Sequence, residues 1–170
     1  MATMIVEAAP GGFYGGGQFF EGNTGDHALL LNDGAIVGSL IDGGTLVYTF
    51  QGIDEGKYEI FSYAVSPLGV KIETPVYVPE AVENRLQIVT GPMPGNAFEY
   101  LITHSAHRVD LSATSSFHII FEQLPGEPTS QWVNGFQIVP IPEPGTASVL
   151  LAALFVFILL RKCRPLNCAS

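Results

Sequence analysis

The sequence predicts an all-β fold. It is an antiparallel β-sandwich, a jelly roll first and an immunoglobulin-like sandwich second, followed by a single C-terminal transmembrane helix. Three observations predict it. From His27 to Val139, short runs rich in Val, Ile, Leu, Tyr and Phe alternate with Gly, Asp, Asn and Pro punctuation. No stretch of residues 1–140 sustains the 3.6-residue apolar period of a helix. Residues 145–160 form one uncharged apolar run. The chain therefore divides into a Gly-rich segment 1–26, a sandwich 27–140 and a tail 141–170.

The elements follow in order. Residues 7–26 read as loop with one short strand, and they carry Phe13, Tyr14, Phe19 and Phe20. His27 to Leu31 is a strand stopped by Asn32-Asp33-Gly34. Ala35 to Ile41 is stopped by Asp42-Gly43-Gly44, and Thr45 to Phe50 by Asp54-Glu55-Gly56. Each stop supplies residues that tolerate the positive φ of a tight hairpin turn. Lys57 to Val65 changes parity partway: Tyr58 and Ile60 share one face, then Phe61, Tyr63 and Val65 take the other. Such a switch predicts a bulge near Phe61 or burial on both faces. In Val70 to Val78, Pro75 predicts an edge strand. A turn at residues 79–84 leads to Leu86–Thr90. The strands Phe98–His104, Ala106–Leu111, Phe117–Gln123 and Trp132–Val139 complete the set. Arg108 to Leu111 alternates as a half-buried strand does.

The 170 residues, less the tail, leave about 140, enough for one domain with its own core. Of 7 basic and 16 acidic residues, Arg161, Lys162, Arg164 and Glu143 lie beyond residue 141. Residues 1–141 thus hold four basic against fifteen acidic groups, a net charge of −11. Phosphate repels such a surface, which excludes a nucleic-acid partner. Both cysteines, Cys163 and Cys168, follow the apolar run, so the sandwich holds neither disulfide nor thiolate metal site.

Little in the sandwich carries chemistry. His104 and His107 fall at a strand end and a turn, without a supporting Cys or carboxylate cluster, so no metal site is expected. Asn23, Asp26, Asn32, Asp33 and Asp42 offer oxygen ligands for a structural Ca²⁺, but the spacing of a Ca²⁺ loop is absent and turn formation explains them. Neither a nucleophile-elbow Ser nor a phosphate loop occurs. Carboxylates are plentiful, yet nothing singles out a pair, and the chain reads as a non-enzyme. Aromatic stacking on glycans is the main sharp alternative, with Tyr14, Phe19, Phe20 and Trp132 as candidate contacts. For Trp132 the competing reading is core packing.

The tail has three parts: Pro142-Glu143-Pro144, the apolar run 145–160, and a basic stop of Arg161, Lys162 and Arg164. Ten residues of the run are Val, Leu, Ile or Phe, which together gain about 3–6 kcal/mol on entering lipid. As a helix it spans roughly 24 Å, short of a hydrocarbon core about 30 Å thick, and the snorkelling basic residues make up part of the deficit. The basic residues stay on the cytoplasmic side, leaving residues 1–141 outside.

In this order, the three parts resemble the PEP-CTERM sorting signal of exported proteins in Gram-negative bacteria that make exopolysaccharide. The resemblance covers about 25 residues. It implies recognition by an exosortase, a membrane-embedded cysteine protease or transpeptidase that removes the tail. The ten residues after Leu160 are longer than the pattern implies. Physically, Pro142 and Pro144 hold Glu143 in extended geometry, free of sheet and helix, as a protease requires. Residues 1–17 carry no export leader, so the true start is expected upstream. Separately, Tyr48 to Tyr63 and the closing Val133 to Ile138 are similar, at fold level only, to jelly rolls of the carbohydrate-binding type. The expectation is a cell-surface or extracellular protein, structural or adhesive in an exopolysaccharide matrix. A carbohydrate-binding module is the alternative, and a glycan-active enzyme ranks last.

Overall fold

The computed structural model describes residues 2–8, 13–17, 33–37, 44–66, 71–91, 97–112, 116–124 and 131–143, with backbone alone at 13–17, 33 and 36. The elements are β1 (Thr3–Ala8), β2 (Phe13–Gly17), β3 (Asp33–Val37), β4 (Thr45–Gln51), β5 (Gly56–Tyr63), β6 (Thr74–Tyr77), β7 (Leu86–Val89), β8 (His104–Leu111), β9 (Phe117–Glu122), β10 (Gln131–Val133) and β11 (Gly135–Pro140). Among the described residues there is no helix, and therefore none long and apolar enough to cross a membrane. The strands pair antiparallel in three sheets, ordered β1-β4-β9-β6-β7, β10-β3-β2 and β11-β5-β8.

One core joins the sheets into a sandwich. The five-stranded sheet contributes Leu46, Tyr48, Phe50, Val76, Val89, Phe117, Ile119 and Phe121, and the facing strands contribute Ala35, Val37, Ile60, Val109, Leu111 and Val133. Phe136 of β11 bridges the layers, with ring centroids 4.6 Å from Tyr48 and 5.6 Å from Phe50. The second layer breaks at Asn134, between β10 and β11. There the Asn134 N–H donates to Tyr63 O (2.9 Å), and its Oδ1 accepts from the Val65 N–H (2.6 Å). A side-chain amide thus fills in where the ladder changes partner.

The structure differs from the sequence reading at five places. β1 was not expected; it is an edge strand exposed at every position, so it shows no alternation to read. Gly34 lies in a strand rather than a turn, and a Cβ there would stand 3.0 Å from Val133 O; it allows close backbone approach. Pro75 sits in an interior strand. It is tolerated because β6 pairs with β9 only at Val76 and Tyr77, so its missing N–H falls beyond that ladder. Residues 97–103 form a turn-rich segment rather than a strand, and β8 runs unbroken from His104. The closing strand is divided at Asn134. His27–Leu31, Asn23, Asp26, Asn32, Asp42, Phe19, Phe20, Pro144, the 145–160 run, Arg161, Lys162 and Arg164 lie outside the described residues.

Candidate functional site

The parity switch in β5 locates the site. Its pairings with β8 and with β11 each keep one constant register from end to end, so there is no bulge; from Ile60 to Tyr63 both faces of the strand are buried or half-buried. Tyr58, Ile60 and Ser62 face the core. Glu59, Phe61 and Tyr63 face outward, beside Arg108, Ala106 and His104 of β8 and Val139 and Gln137 of β11. Tyr63 and Val65 form a second apolar cluster on this outer side, with Phe61 and Phe98 packed against it.

The outer face ends in an aromatic group. The His104 ring lies 5.6 Å from Phe61, 5.3 Å from Tyr63 and 6.3 Å from Tyr100, and Tyr63 lies 5.1 Å from Phe98. The Tyr63 hydroxyl donates to Gln137 Oε1 at 2.9 Å, leaving that amide's NH₂ to donate outward. Burial pushes the pKa of Tyr63 up and that of His104 down.

Tyr100 stands above this floor on a strained turn and is 51 % exposed. Leu101, the next residue, has φ +62°, a left-handed conformation costing a β-carbon residue about 1–2 kcal/mol. The strain is held by a dense set of bonds. The Leu101 N–H donates to His104 O (2.8 Å), the Thr103 N–H to Glu99 O (2.8 Å), the Thr90 N–H to Leu101 O (2.9 Å) and the Gly91 N–H to Ile102 O (2.8 Å). Strain that is over-determined in this way gathers at binding sites, because it fixes a side chain where a relaxed turn would not.

The same turn holds the histidine ring. The Thr103 hydroxyl lies 2.9 Å from Glu99 O and accepts the Glu99 N–H (2.8 Å). It also lies 3.0 Å from His104 Nδ1, a contact in which either atom is the donor according to the ring's tautomer. An exposed tyrosine, an imidazole and an amide donor on one face can stack a flat apolar ring surface and bond its hydroxyls.

The inward face differs. His107 is 1 % exposed, neither ring nitrogen has a hydrogen-bond partner, and burial pushes its pKa down to about 4 against a small opposing pull from the Arg85 backbone. Ser62 and Ser105, fully buried beside it, also have unpartnered hydroxyls. Because β8 alternates, His104 and His107 lie on opposite faces and cannot share a metal; among the described residues no three metal-ligating side chains cluster. His118 sits at the far sheet, with Nδ1 2.6 Å from Glu80 Oε1.

Of the residues singled out from sequence, Trp132 is buried at 7 % exposure on β10. Its ring is therefore not a solvent-facing platform. Tyr14 lies on β2 opposite Ile36. Pro142 and Glu143 follow β11, with the Ile141 N–H donating to Lys57 O (2.8 Å). Phe61, Tyr100, His104 and Gln137 were not singled out as glycan contacts. The signal available for them was the parity switch at Phe61, since outward aromatics on a half-buried strand need a cover or a ligand.

No family model matches the chain, and no curated protein matches it. Among solved structures it is similar to a CBM35 from Cellvibrio japonicus Abf62, at 13 % identity over 84 % of this chain and 95 % of that one, with a TM-score of 0.41. It is also similar to a Xyl-CBM35 in complex with a glucuronic acid containing disaccharide, at 12 % identity over 82 % and 94 %, with a TM-score of 0.39. Likeness this distant transfers no residue role to this chain.

Proposed function

We propose that this chain is an exported glycan-binding β-sandwich of the jelly-roll type, delivered by a PEP-CTERM-like tail that an exosortase recognises. The sandwich binds polysaccharide outside the cell through the outer face of β11-β5-β8, in an exopolysaccharide matrix where such binding is adhesive. It binds without chemistry and needs no cofactor. The observation that supports the binding reading is the strained, over-held turn that lifts Tyr100 above the Phe61–Tyr63–His104 floor. Such a turn offers one exposed ring in a fixed pose with a hydrogen-bonding imidazole beneath it, which suits the apolar face and the hydroxyls of a sugar. The delivery reading rests on Pro142-Glu143-Pro144, the run 145–160 and Arg161, Lys162 and Arg164 as they stand in the sequence.

A glycan array probed with the full chain in detergent micelles tests the binding half. Saturable binding that Tyr100→Ala weakens by roughly tenfold, with the melting curve unchanged, is the expected result. Binding indifferent to Tyr100 and His104 but lost on replacing Tyr14 or Phe19 would move the site to the Gly-rich segment. Absence of any saturable glycan would return the sandwich to a purely structural role.

A further inference from the structure

Lys57 and Asp110 are direct cross-strand partners on the outer face of β5 and β8. Opposite charges so placed pair by default. Lys57 instead reaches away, with Nζ 3.5 Å from Glu143 Oε1 of the Pro142-Glu143-Pro144 step. Asp110 is left across a cavity of about 350 Å³ that Lys57 also lines, with Val82, Glu83, Arg108 and Ile141. The backbone makes a second tie at the same residue, because the Ile141 N–H donates to Lys57 O at 2.8 Å. That bond carries the β11–β5 ladder one residue past Pro140. Since Ile141 points its N–H at β5, Pro140 and Pro142 occupy the positions whose N–H would face the open edge. A proline there loses no ladder bond and offers no donor to a new strand. Pro142 and Glu143 lie in neither strand nor helix, but the residue before them is tied to Lys57 O and the Glu143 carboxylate to Lys57 Nζ.

We propose that Lys57 is a latch that holds Ile141 to Glu143, the entry to the Pro142-Glu143-Pro144 step, against the sandwich, and that it opens by passing Lys57 from Glu143 to Asp110. The latch's consequence, not its geometry, rests on the sorting reading above. A protease that takes the step as an extended strand needs the Glu143 carboxylate and the backbone behind it clear of β5. Both partners are solvated, with side chains 51 % and 73 % exposed, so neither state pays for burial. An exposed ion pair of this kind shifts an equilibrium by about two- to fivefold. Asp110 offers Lys57 a second partner, so opening exchanges one pair for another.

Two variants with opposite signs test this in the full-length chain. Lys57→Met keeps the aliphatic stem and removes the charge. Asp110→Asn removes the receiving partner. In detergent micelles at low salt, amide exchange at Ile141 should quicken by about two- to fivefold in Lys57→Met and slow by less than about twofold in Asp110→Asn, with both differences fading near 1 M salt. In an exporting host that carries an exosortase, pulse–chase loss of the tail should follow the same order. Exchange at Ile141 that is unchanged in both variants overturns the latch, whatever happens to the tail. Exchange that shifts as expected while the tail stays on every chain, wild type included, overturns the sorting reading and with it the latch's role in processing. Tail loss at the wild-type rate in Lys57→Met, despite faster exchange, overturns the gating role alone.

Discussion

His104 and His107 stand three residues apart on one strand and live in different media. His104, on the outer face, has its Nδ1 3.0 Å from the Thr103 hydroxyl and its ring among Phe61, Tyr63 and Tyr100. His107, on the inner face, has no hydrogen-bond partner for either nitrogen and is nearly sealed from water. The same residue type is hydrogen-bonded in one place and a stability liability in the other. A strand turns its side chains through half a circle at each step, so an odd spacing separates neighbours by the full thickness of the sheet. The residue's role is set by the face, and the face is set by the register with β5.

The contrast can be broken most forcefully from the inside. Ile60 is fully buried in the main core, and Glu59 faces outward beside it. Ile60→Ala should cost about 2–5 kcal/mol of unfolding free energy, whereas Glu59→Ala should stay within about 0.5 kcal/mol; urea titration of both reads the difference. If the two variants melt alike, the faces have been misassigned.

The buried histidine comes next. An unfolded imidazole titrates near 6.5, and the folded one near 4. Folding therefore favours the neutral ring, so this contribution is complete above pH 6.5 and drains away as pH falls towards 4. The loss by pH 4 should be about 3 kcal/mol. Chemical denaturation at pH 7 and pH 4.5 should show it, and His107→Leu should flatten much of that acid limb. An equally steep limb in the variant would place the acid sensitivity elsewhere.

Gln87 sharpens the edge between the two faces. Its side chain acts as a surrogate strand for β8: Nε2 donates to Ala106 O (2.6 Å), and Oε1 accepts from the Ala106 N–H (3.0 Å). Gln87→Leu should cost about 2 kcal/mol by leaving both backbone groups unpaired. Hydrogen exchange at Ala106 would rise with it, while an unprotected Ala106 in the wild type would refute the pairing.

The outer face should show the smallest stability effects and the clearest functional ones. Tyr100→Ala should leave the melting curve in place and weaken glycan binding by about 1–1.5 kcal/mol, roughly tenfold. His104→Phe should weaken it by about fivefold through loss of one acceptor. Binding that uses a His104 ring nitrogen as an acceptor should persist through neutral pH and fall in acid below 6.5, because burial holds the His104 pKa beneath its ordinary value. Titration calorimetry against the strongest array ligand reads each of these.

Much of the fold was legible because alternation writes it into the residues. Arg108 to Leu111 alternates as exposed, buried, exposed, buried in the folded chain. Thr45 to Phe50 and Phe117 to Glu122 were recognisable from β-branched and aromatic content, and they pair with each other at the centre of the five-stranded sheet. β1 was not legible, because a strand wet on both faces has no period. Gly34 and Pro75 were misread for one reason: each residue type has two uses in sheets, and only a partner strand decides between them. The candidate site was less legible still. Tyr100 sat inside an apparent strand, and nothing local to it reports that Leu101 turns left-handed, since that conformation is imposed by bonds from Thr90 and Gly91 a dozen residues earlier.

The residues alone determined that this chain is built of antiparallel strands, that its folded part is strongly acidic, and that it continues into an apolar run flanked by Pro142-Glu143-Pro144 and a basic cluster. Those properties are sums or short-range patterns, readable without knowing which parts of the chain meet. Tertiary structure decided which of two histidines meets water, which tyrosine stands exposed, and that Lys57 reaches Glu143 rather than Asp110. Each is a choice between partners far apart in the chain. Register and layer packing settle such choices, because they bring distant residues to one surface and fix the side from which each is seen.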